Sequence, residues 1–311
     1  MSPRSSSESV ATVPQRSPRA RHRRGQGRAA LLFLLPLLAF YGLYFGYSFD
    51  FLATVARQRV SLSFVDAVDV GWENYRLTLT DPLFIRALVN NFVFAGVSIA
   101  ASLTVGFLVA MLLAVGVRLK KTLYVIFLLP SLLPLALFAT VFGTMLGTQY
   151  GAFNVALESI GLGFLRQDWL GNDSTAYAAV FVLLVYLVGL PIMYYHADVE
   201  AIDLSVIESA VMDGAGPWRI FRSMLFPLLK GTHRTVILAV LLASFRAFDV
   251  VWFSTNGGPS GATAITGTYL YGKTVASGQV VGYAAATSVI TLLIALVISV
   301  VQIAVQRRSD R

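Results

Sequence analysis

The sequence has 311 residues, of which 56% are hydrophobic and only 13% charged, and it contains no cysteine. This composition excludes an ordinary soluble chain, and the missing cysteines exclude disulfides, thiolate metal sites and cysteine nucleophiles. The formal net charge of +8 does not require a nucleic-acid partner, because most of the excess lies in one N-terminal run beside an apolar stretch.

The N-terminal residues 1–28 are dominated by Arg, Ser and Pro and show no apolar periodicity. We therefore predict a disordered, basic tail in the cytoplasm, drawn to anionic lipid. A signal peptide would also join a basic region to an apolar run. No small-residue cleavage site follows Phe49 directly, which favours an uncleaved first span.

Six stretches are apolar over the roughly 20 residues that a helix needs to cross a bilayer. The fifth is interrupted by Arg246 and Asp249, and the other five carry no charge. In chain order they cover residues 29–49, 87–117, 122–150, 176–195, 235–254 and 274–306. The sequence thus predicts an all-α polytopic membrane protein with a six-span domain at 29–306.

Lys and Arg placement predicts how the spans are oriented. Most of the 24 Lys and Arg residues lie in the N-terminal tail, in the loops at 118–121 and 198–234, and at the C-terminus. These four segments share one side of the membrane. Both termini, including residues 307–311, are therefore predicted to be cytoplasmic.

A polar loop lies between the fourth and fifth stretches. Ser205 and Glu208 have the spacing of a capping box, in which Ser caps a helix and Glu reaches back. Asp213 and Gly214 would end that helix, and Pro217 would begin a second one. By local physics alone the loop is either a helix pair lying on the membrane or a docking element.

The letters ESAVMDG at 208–214 resemble the EAA loop of binding-protein-dependent ABC importer permeases. TNGGP at 255–259 and VGYAAATSV at 281–289 resemble signatures of carbohydrate permeases of the maltose type, specifically the first of two permease subunits. Shorter similarities cover the letters NF, LPSLLP and WLG, and the resemblance extends over about residues 30–305. The chain departs from the pattern at Ser209, where Ala is usual, and at Phe226-Pro227, where Leu-Pro is usual.

The resemblance implies a type I ABC importer permease in a bacterial cell membrane, which forms half of a sugar pathway and has no enzymatic activity. Its partners would be a second homologous permease, two ATPase subunits and an extracytoplasmic sugar-binding protein. The ATPase subunits would bind ATP and Mg, and this chain would bind no cofactor. The loop at about 198–230 would couple ATPase closure to the spans. The residues predicted for this contact are Ser205, Glu208, Ser209, Ala210, Asp213, Gly214, Ala215 and Trp218.

The predicted solute pathway rests on polar and aromatic residues within the spans. Arg246 and Asp249 are costly inside a membrane, so they either face a water-filled path or form an ion pair that packs two helices. Tyr186, Gly189 and Pro191 predict an interruption of the fourth span. Tyr186 and Tyr194 would stack on sugar rings or pack between helices. On the resemblance, the pathway residues are Tyr186, Gly189, Tyr194, Ser244, Arg246 and Asp249.

Other functions fit the sequence less well. The letters GTYLYGKT at 267–274 match the P-loop pattern, but no strand precedes them and the charge distribution places them outside the cell, so we predict no nucleotide site. A permease for glycerol phosphate, a polyol or another solute of the same importer class remains an alternative. A secondary transporter is less favoured, because Asp249 alone supports it. A membrane enzyme would need catalytic groups at one depth, and none is visible.

Segments 50–86 and 147–175 lie on the predicted outer side and are predicted to dock the extracytoplasmic sugar-binding protein.

Overall fold

The computed structural model describes residues 22–115, 118, 120–275 and 281–309. The chain forms two compact units, one ending at Phe51 and the other beginning at Leu52. The predicted disordered tail lies mostly outside the described residues. Positions 22–28, which were included in that tail, already belong to the first helix. An established helix extends into flanking residues because each added residue gains a backbone hydrogen bond.

The described elements are almost all helices. Those of the first half are α1 (His22–Ala56), β1 (Gln58–Arg59), β2 (Val68–Asp69), α2 (Glu73–Thr80), α3 (Pro82–Ala101), a π-turn (Ser102–Gly106), α4 (Phe107–Val115), α5 (Lys120–Leu132), α6 (Leu135–Met145) and α7 (Ala152–Ser159). Those of the second half are a 3₁₀ turn (Gly163–Leu165), α8 (Asp173–Tyr186), α9 (Gly189–Glu200), α10 (Leu204–Met212), α11 (Pro217–Ile220), a π-turn (Phe221–Leu225), α12 (Phe226–Leu228), α13 (Lys230–Ser244), α14 (Phe248–Thr255), α15 (Thr266–Val275) and α16 (Val281–Ser309).

In the first unit, helix α1 stacks aromatic side chains at a spacing of four residues. The ring centroids of Phe40 and Tyr44 lie 6.2 Å apart, and those of Tyr41 and Phe45 lie 5.7 Å apart. Residues four apart lie on the same face of a helix, one turn above each other. These contacts stabilise the helix along the stretch predicted as the first span.

Four described helices are long and apolar enough to cross a membrane, namely Leu31–Ala56, Pro82–Ala114, Asp173–Glu200 and Val281–Val305. Two bent pairs reach a sufficient length together, namely Lys120–Leu132 with Leu135–Met145, and Trp218–Leu228 with Lys230–Ser244. The number of spans is six if each bent pair crosses as one. The predicted all-α, six-span architecture is confirmed in this form, with a two-stranded antiparallel pairing of β1 and β2 as a small addition.

Several predicted spans follow a different course from the one that the sequence indicated. The third turns by 110° between α5 and α6, because Pro134 takes an extended ψ of 127° that no helix can continue. The fifth breaks at residues 245–247. Thr274, predicted to open the sixth span, belongs to α15, and α16 begins at Val281 after five residues outside the described chain.

Buried apolar clusters hold the broken spans against their neighbours. Phe107 of α4, Tyr195 of α9 and Val236 of α13 pack in one cluster. Phe94 of α3 and Val251 of α14 pack in another, together with residues of α6 and α8. Inside a membrane, helices associate mainly through such close packing. The clusters therefore fix α9, α13 and α14, which carry most of the predicted pathway residues.

Asp81 ties the start of α3 to α15 and α16. Its Oδ1 accepts from the Leu83 N–H at 2.8 Å, and its Oδ2 accepts from the Tyr269 hydroxyl at 2.5 Å. Tyr283 lies 2.6 Å from the Tyr269 oxygen, and Lys273 Nζ lies 3.4 Å from Oδ2. Burial opposes ionisation of Asp81, but these hydrogen bonds and Lys273 outweigh it and hold its pKa below the usual value. The carboxylate therefore stays charged at neutral pH.

The P-loop-like pattern at 267–274 lies on helix α15. A P-loop needs a glycine-rich turn after a strand, so that free amides can wrap a phosphate. In the described part of the chain the only strands are β1 and β2, which are distant in sequence. Residues 267–274 therefore do not form the strand-to-helix turn of a P-loop, and the absence of a nucleotide site stays a prediction.

Candidate functional site

Helix α10, in the predicted coupling loop, begins with an aspartate cap. The N-cap residue is Asp203, whose Oδ1 accepts from the Ser205 N–H at 3.0 Å. This hydrogen bond lowers the pKa of Asp203. The predicted capping box of Ser205 and Glu208 is wrong. Asp203 is extended and supplies a stronger acceptor two residues earlier, which leaves Ser205 inside the first turn.

The end of α10 follows the prediction closely. The Ala215 N–H donates to the Ala210 carbonyl at 2.9 Å, and the Gly214 N–H donates to the Val211 carbonyl at 3.0 Å. These two bonds define a Schellman motif, which needs a left-handed residue directly after the helix. Gly214 supplies it with a φ of 77°. The predicted stop at Asp213 and Gly214 is confirmed.

The side chains of this segment are mostly exposed. Among the predicted coupling residues only Ala210 is buried, Ala215 is half-buried, and the side chains of Ser205, Glu208, Ser209, Asp213 and Trp218 are exposed. The exposed set also includes large apolar side chains, with Met212 86% and Trp218 69% exposed. The Trp218 ring stacks on Phe221 at 5.4 Å. Charged and large apolar groups thus lie side by side on one surface.

A cavity of about 260 Å³ lies between α10 and the helices that follow it. It is lined by Ser209, Ala210, Asp213, Ala215, Arg219, Ser223 and Met224. Four of these seven, Ser209, Ala210, Asp213 and Ala215, are predicted coupling residues, and the other three follow Pro217. The turn at Gly214 therefore shapes a concave surface as well as a protruding one.

The predicted interruption of the fourth span is present between α8 and α9. The Tyr186 hydroxyl donates to the Ile126 carbonyl at 2.8 Å, and its ring stacks on Phe138 at 5.6 Å. Gly189 is buried against α5, where an added Cβ would lie 2.5 Å from the Phe127 carbonyl oxygen. These contacts favour helix packing for both residues. Tyr194, in contrast, is 44% exposed, and its predicted place in the pathway stays a prediction.

Arg246 and Asp249 lie on either side of the break in the fifth span. Arg246 is exposed in the break itself, and Asp249 is half-buried in the first turn of α14. In the described chain they do not form an ion pair within 4.0 Å. The predicted pairing assumed one continuous helix, and the break at 245–247 removes that geometry. Ser244, also predicted, ends α13 and is buried.

An aromatic cluster beside this break was not predicted. Phe248 stacks on Trp252 at 5.5 Å with an interplanar angle of 15°, and Tyr271 lies 4.5 Å from Trp252. Trp252 and Asp249 are three residues apart on α14, so the aromatic rings of this cluster lie next to the Asp249 carboxylate. The spacing of Phe248 and Trp252 is visible in the sequence. The approach of Tyr271 from α15 depends on tertiary structure.

Two buried asparagines on α3 were also not predicted as functional. Asn90 and Asn91 are each only 1% exposed. Two adjacent amide side chains in an apolar stretch indicate hydrogen-bond partners elsewhere in the fold, because burying an unpaired amide is costly. In the sequence, Asn91 enters only as the first letter of the short NF similarity to the carbohydrate permeases.

Comparison with known proteins places this architecture in a family. Residues 102–311 match the binding-protein-dependent transport system inner membrane component family. A probable ABC transporter permease protein of Pyrococcus horikoshii is 30% identical over 276 residues, which cover 86% of this chain and 92% of that protein. The multiple sugar-binding transport system permease protein MsmF of Streptococcus mutans is 29% identical, over 78% of this chain and 82% of that protein.

A solved structure has the same fold. It is the bacterial alginate ABC transporter in complex with an alginate pentasaccharide-bound periplasmic protein, and one of its chains matches with a TM-score of 0.77 at 20% identity. The match covers 94% of this chain and 99% of that one. The fold is therefore that of an ABC importer permease, and the protein belongs to the family of inner membrane components of binding-protein-dependent transport systems.

Proposed function

We propose that this chain is a permease subunit of an ATP-driven sugar importer and transmits ATPase motion through helix α10. One observation carries the coupling role: a short helix, capped at both ends, exposes carboxylates beside Met212 and Trp218. Methionine, aromatic and hydrogen-bonding groups together are typical of protein interfaces. A helix lying flat on lipid would bury its apolar side and keep its carboxylates in water. Here the two kinds of side chain share one surface.

The docking partner in this proposal is a cytoplasmic ATPase subunit. In the described chain Glu208 and Asp213 have no ion-pair partner, so both carboxylates are available for charged hydrogen bonds. Two such ATPase subunits bind ATP and Mg, and no covalent step takes place on this chain. The distribution of Lys and Arg supports a cytoplasmic position for the loop and for both termini.

Solute would pass between this chain and a second homologous permease. Arg246 and Tyr194 are exposed and Asp249 is half-buried, so none of these polar groups is enclosed within this chain. The sugar assignment is supported by the similarity to MsmF, a permease of a multiple sugar-binding transport system. Sugars expose hydroxyls and apolar ring faces, which suits polar groups next to aromatic rings.

An extracytoplasmic binding protein would deliver the solute to segments 50–86 and 147–175. Large aromatic side chains are exposed there, with Trp72 72%, Tyr150 91% and Phe164 79% exposed. Such exposed apolar groups are typical of protein interaction sites. The similar alginate transporter was solved with a periplasmic protein bound, which supports a partner of this kind.

A second solute class is favoured by Arg246. An exposed guanidinium without an ion-pair partner in the described chain would bind an anionic group, as in glycerol phosphate. Asp249 nearby opposes a strongly anionic solute. A neutral sugar is therefore the preferred substrate, and glycerol phosphate or a polyol is the alternative.

The function is tested with the complete transporter in proteoliposomes. Uptake of radiolabelled maltose, glycerol 3-phosphate and sorbitol is measured with ATP, with ADP and without nucleotide, in the presence of the cognate binding protein. We expect uptake of at least one probe only with ATP. ATP-independent uptake driven by a proton gradient would contradict the proposal and favour a secondary transporter.

Replacing Arg246 by Ala is expected to reduce solute uptake while the basal ATPase rate survives. The loss should be roughly tenfold or more, because hydrogen bonds from charged groups contribute about 1.5–3 kcal/mol. Arg246→Lys should recover part of it, since Lys keeps the charge but not the planar fork. Arg118→Ala, at an exposed position outside helices α4 and α5, is the control. Unchanged uptake in Arg246→Ala would remove this residue from the pathway.

Two glycines in the coupling loop provide a matched test of its backbone. Gly214→Ser should weaken coupling, because a φ of 77° costs a residue with a Cβ about 1–2 kcal/mol. The space around both Gly214 and Gly216 is open, so added volume is not the cause. Gly216→Ser should be neutral, since Ser is a favoured N-cap before Pro217. ATP hydrolysed per solute transported is the measurement, and equal values for both variants would contradict the argument.

A further inference from the structure

Asn90 and Asn91 hold the segment that follows α14. The Nδ2 of Asn90 donates to the carbonyl oxygens of Ala262 and Ala264, at 2.6 and 2.7 Å. Its Oδ1 accepts from the Tyr177 hydroxyl of α8. Asn90 therefore joins α3, α8 and the loop between α14 and α15.

Asn91 reaches a different pair of elements. Its Oδ1 accepts from the Thr266 N–H at 2.8 Å and from the Thr266 hydroxyl at 2.9 Å. Its Nδ2 donates to the Ser244 carbonyl oxygen at 3.3 Å. A single buried amide thus joins the first residue of α15 to the last residue of α13.

The Ser244 carbonyl lies at the break in the fifth span. The last carbonyls of a helix lack partners within the helix and need donors from elsewhere. Ser244 accepts from the Ala247 N–H at a long 3.4 Å as well as from Asn91. The next residues also meet, because the Phe92 ring packs edge-on against Phe245 at 5.8 Å. Two consecutive residues of α3 therefore contact two consecutive residues at the break.

We infer that Asn91 is a positioning residue for solute passage, acting through the break at 245–247 and so through Arg246. Asn91 is buried, and its bond to a predicted pathway residue goes to the backbone carbonyl of Ser244. Its bonds hold the last residue of α13 and the first residue of α15, and Arg246 follows the first of these two points by two residues. The inference rests on the proposed function, since it concerns how that pathway is shaped.

The absence of cysteine from the sequence makes the position of the break measurable. In an Arg246→Cys background the introduced thiol is the only one in this chain, and its reaction with a membrane-impermeant maleimide reports its exposure in the purified complete transporter. Adding Asn91→Ala should change the labelling rate by about fivefold, in line with the loss of a buried hydrogen bond. A serine at position 91 is too short to reach Ser244, so Asn91→Ser should change the labelling rate in the same direction. It replaces the Ala variant if that variant is poorly recovered.

Asn154 provides the matched control for labelling. It is also 1% exposed, and its Nδ2 donates to the carbonyl oxygens of Thr148 and Gln167 at 3.2 and 3.0 Å. Asn154→Ala removes a comparable amide far along the chain from the break, so the labelling rate at position 246 should not change. An equal effect of Asn91→Ala and Asn154→Ala would mean general loosening of the fold and would overturn the inference.

Uptake provides the functional readout, measured with Arg246 intact. Asn91→Ala should lower ATP-dependent uptake of the transported probe about tenfold while the basal ATPase rate is retained. Unchanged labelling, or unchanged uptake despite altered labelling, would overturn the positioning role. If the unmodified transporter took up none of the probes, the proposed function would fail separately, and the labelling rates would still decide whether Asn91 holds the break.

Discussion

Replacing Glu208 by Lys is expected to abolish ATP-driven uptake and to release the ATPase subunits from the complex. Glu208 is exposed on α10, one turn before Met212, which is 86% exposed. Reversing a charge that becomes buried in an interface costs about 2–5 kcal/mol or more. Binding would weaken by roughly 30-fold or more. The measurements are co-purification of the ATPase with a tagged permease, and uptake in proteoliposomes.

Glu200→Lys is the control for this reversal, since it makes the same charge change just before α10. Glu200 is not among the predicted contact residues, its side chain is 62% exposed, and its Oε1 lies 3.4 Å from Nε2 of His196 on the same helix, so the loss should be small. Glu208→Gln keeps the shape and removes only the charge, and it should retain part of the assembly. Full uptake and normal co-purification in Glu208→Lys would contradict the docking role.

The six-span architecture was predictable because hydropathy measures how much of the chain a bilayer can hold. Hydropathy does not show where along a stretch the helix axis turns. The uncharged stretch at 122–150 turns by 110°, and the turn depends on the backbone of Pro134. Proline at 130 and 134 was visible in the sequence. Which of the two would break the helix depends on packing against other spans.

The coupling loop was predicted well at its end and poorly at its start. Gly214 has few conformational alternatives, because a left-handed residue after a helix is nearly always glycine. The start offered two acceptors, Asp203 and Ser205. The pattern of Ser205 and Glu208 favoured the wrong one, because it ignored an aspartate two residues earlier.

The pathway residues show the limit of local reasoning most directly. Pairing of Arg246 with Asp249 followed from helical spacing and failed where the helix broke. The bonds of Asn91 with Ser244 and Thr266 join residues that are 153 and 175 positions apart. No local pattern encodes such contacts. A polar side chain in an apolar stretch shows that a partner is needed, and only the fold shows which one.

Gly189→Leu is expected to prevent accumulation of folded protein, and Gly189→Ala to lower its stability. An added Cβ would overlap the Ser131 hydroxyl and approach the Phe127 carbonyl oxygen to 2.5 Å. A side chain can rotate away, but a backbone carbonyl on a packed helix cannot. Overpacking of this kind costs about 1–3 kcal/mol for a small insertion and more than about 4 kcal/mol for a severe one.

Gly96 in α3 is the control position for this substitution, because no atom lies within 4 Å of a Cβ added there. Replacing glycine by alanine inside a helix normally stabilises it by up to about 1 kcal/mol. Gly96→Ala should therefore raise or preserve the thermal unfolding midpoint of the purified protein, and Gly189→Ala should lower it. The opposite signs distinguish a close contact between α9 and α5 from a general effect of helix propensity. If Gly189→Ala and Gly96→Ala shift the midpoint in the same direction, the fourth span does not pack against α5 at its interruption.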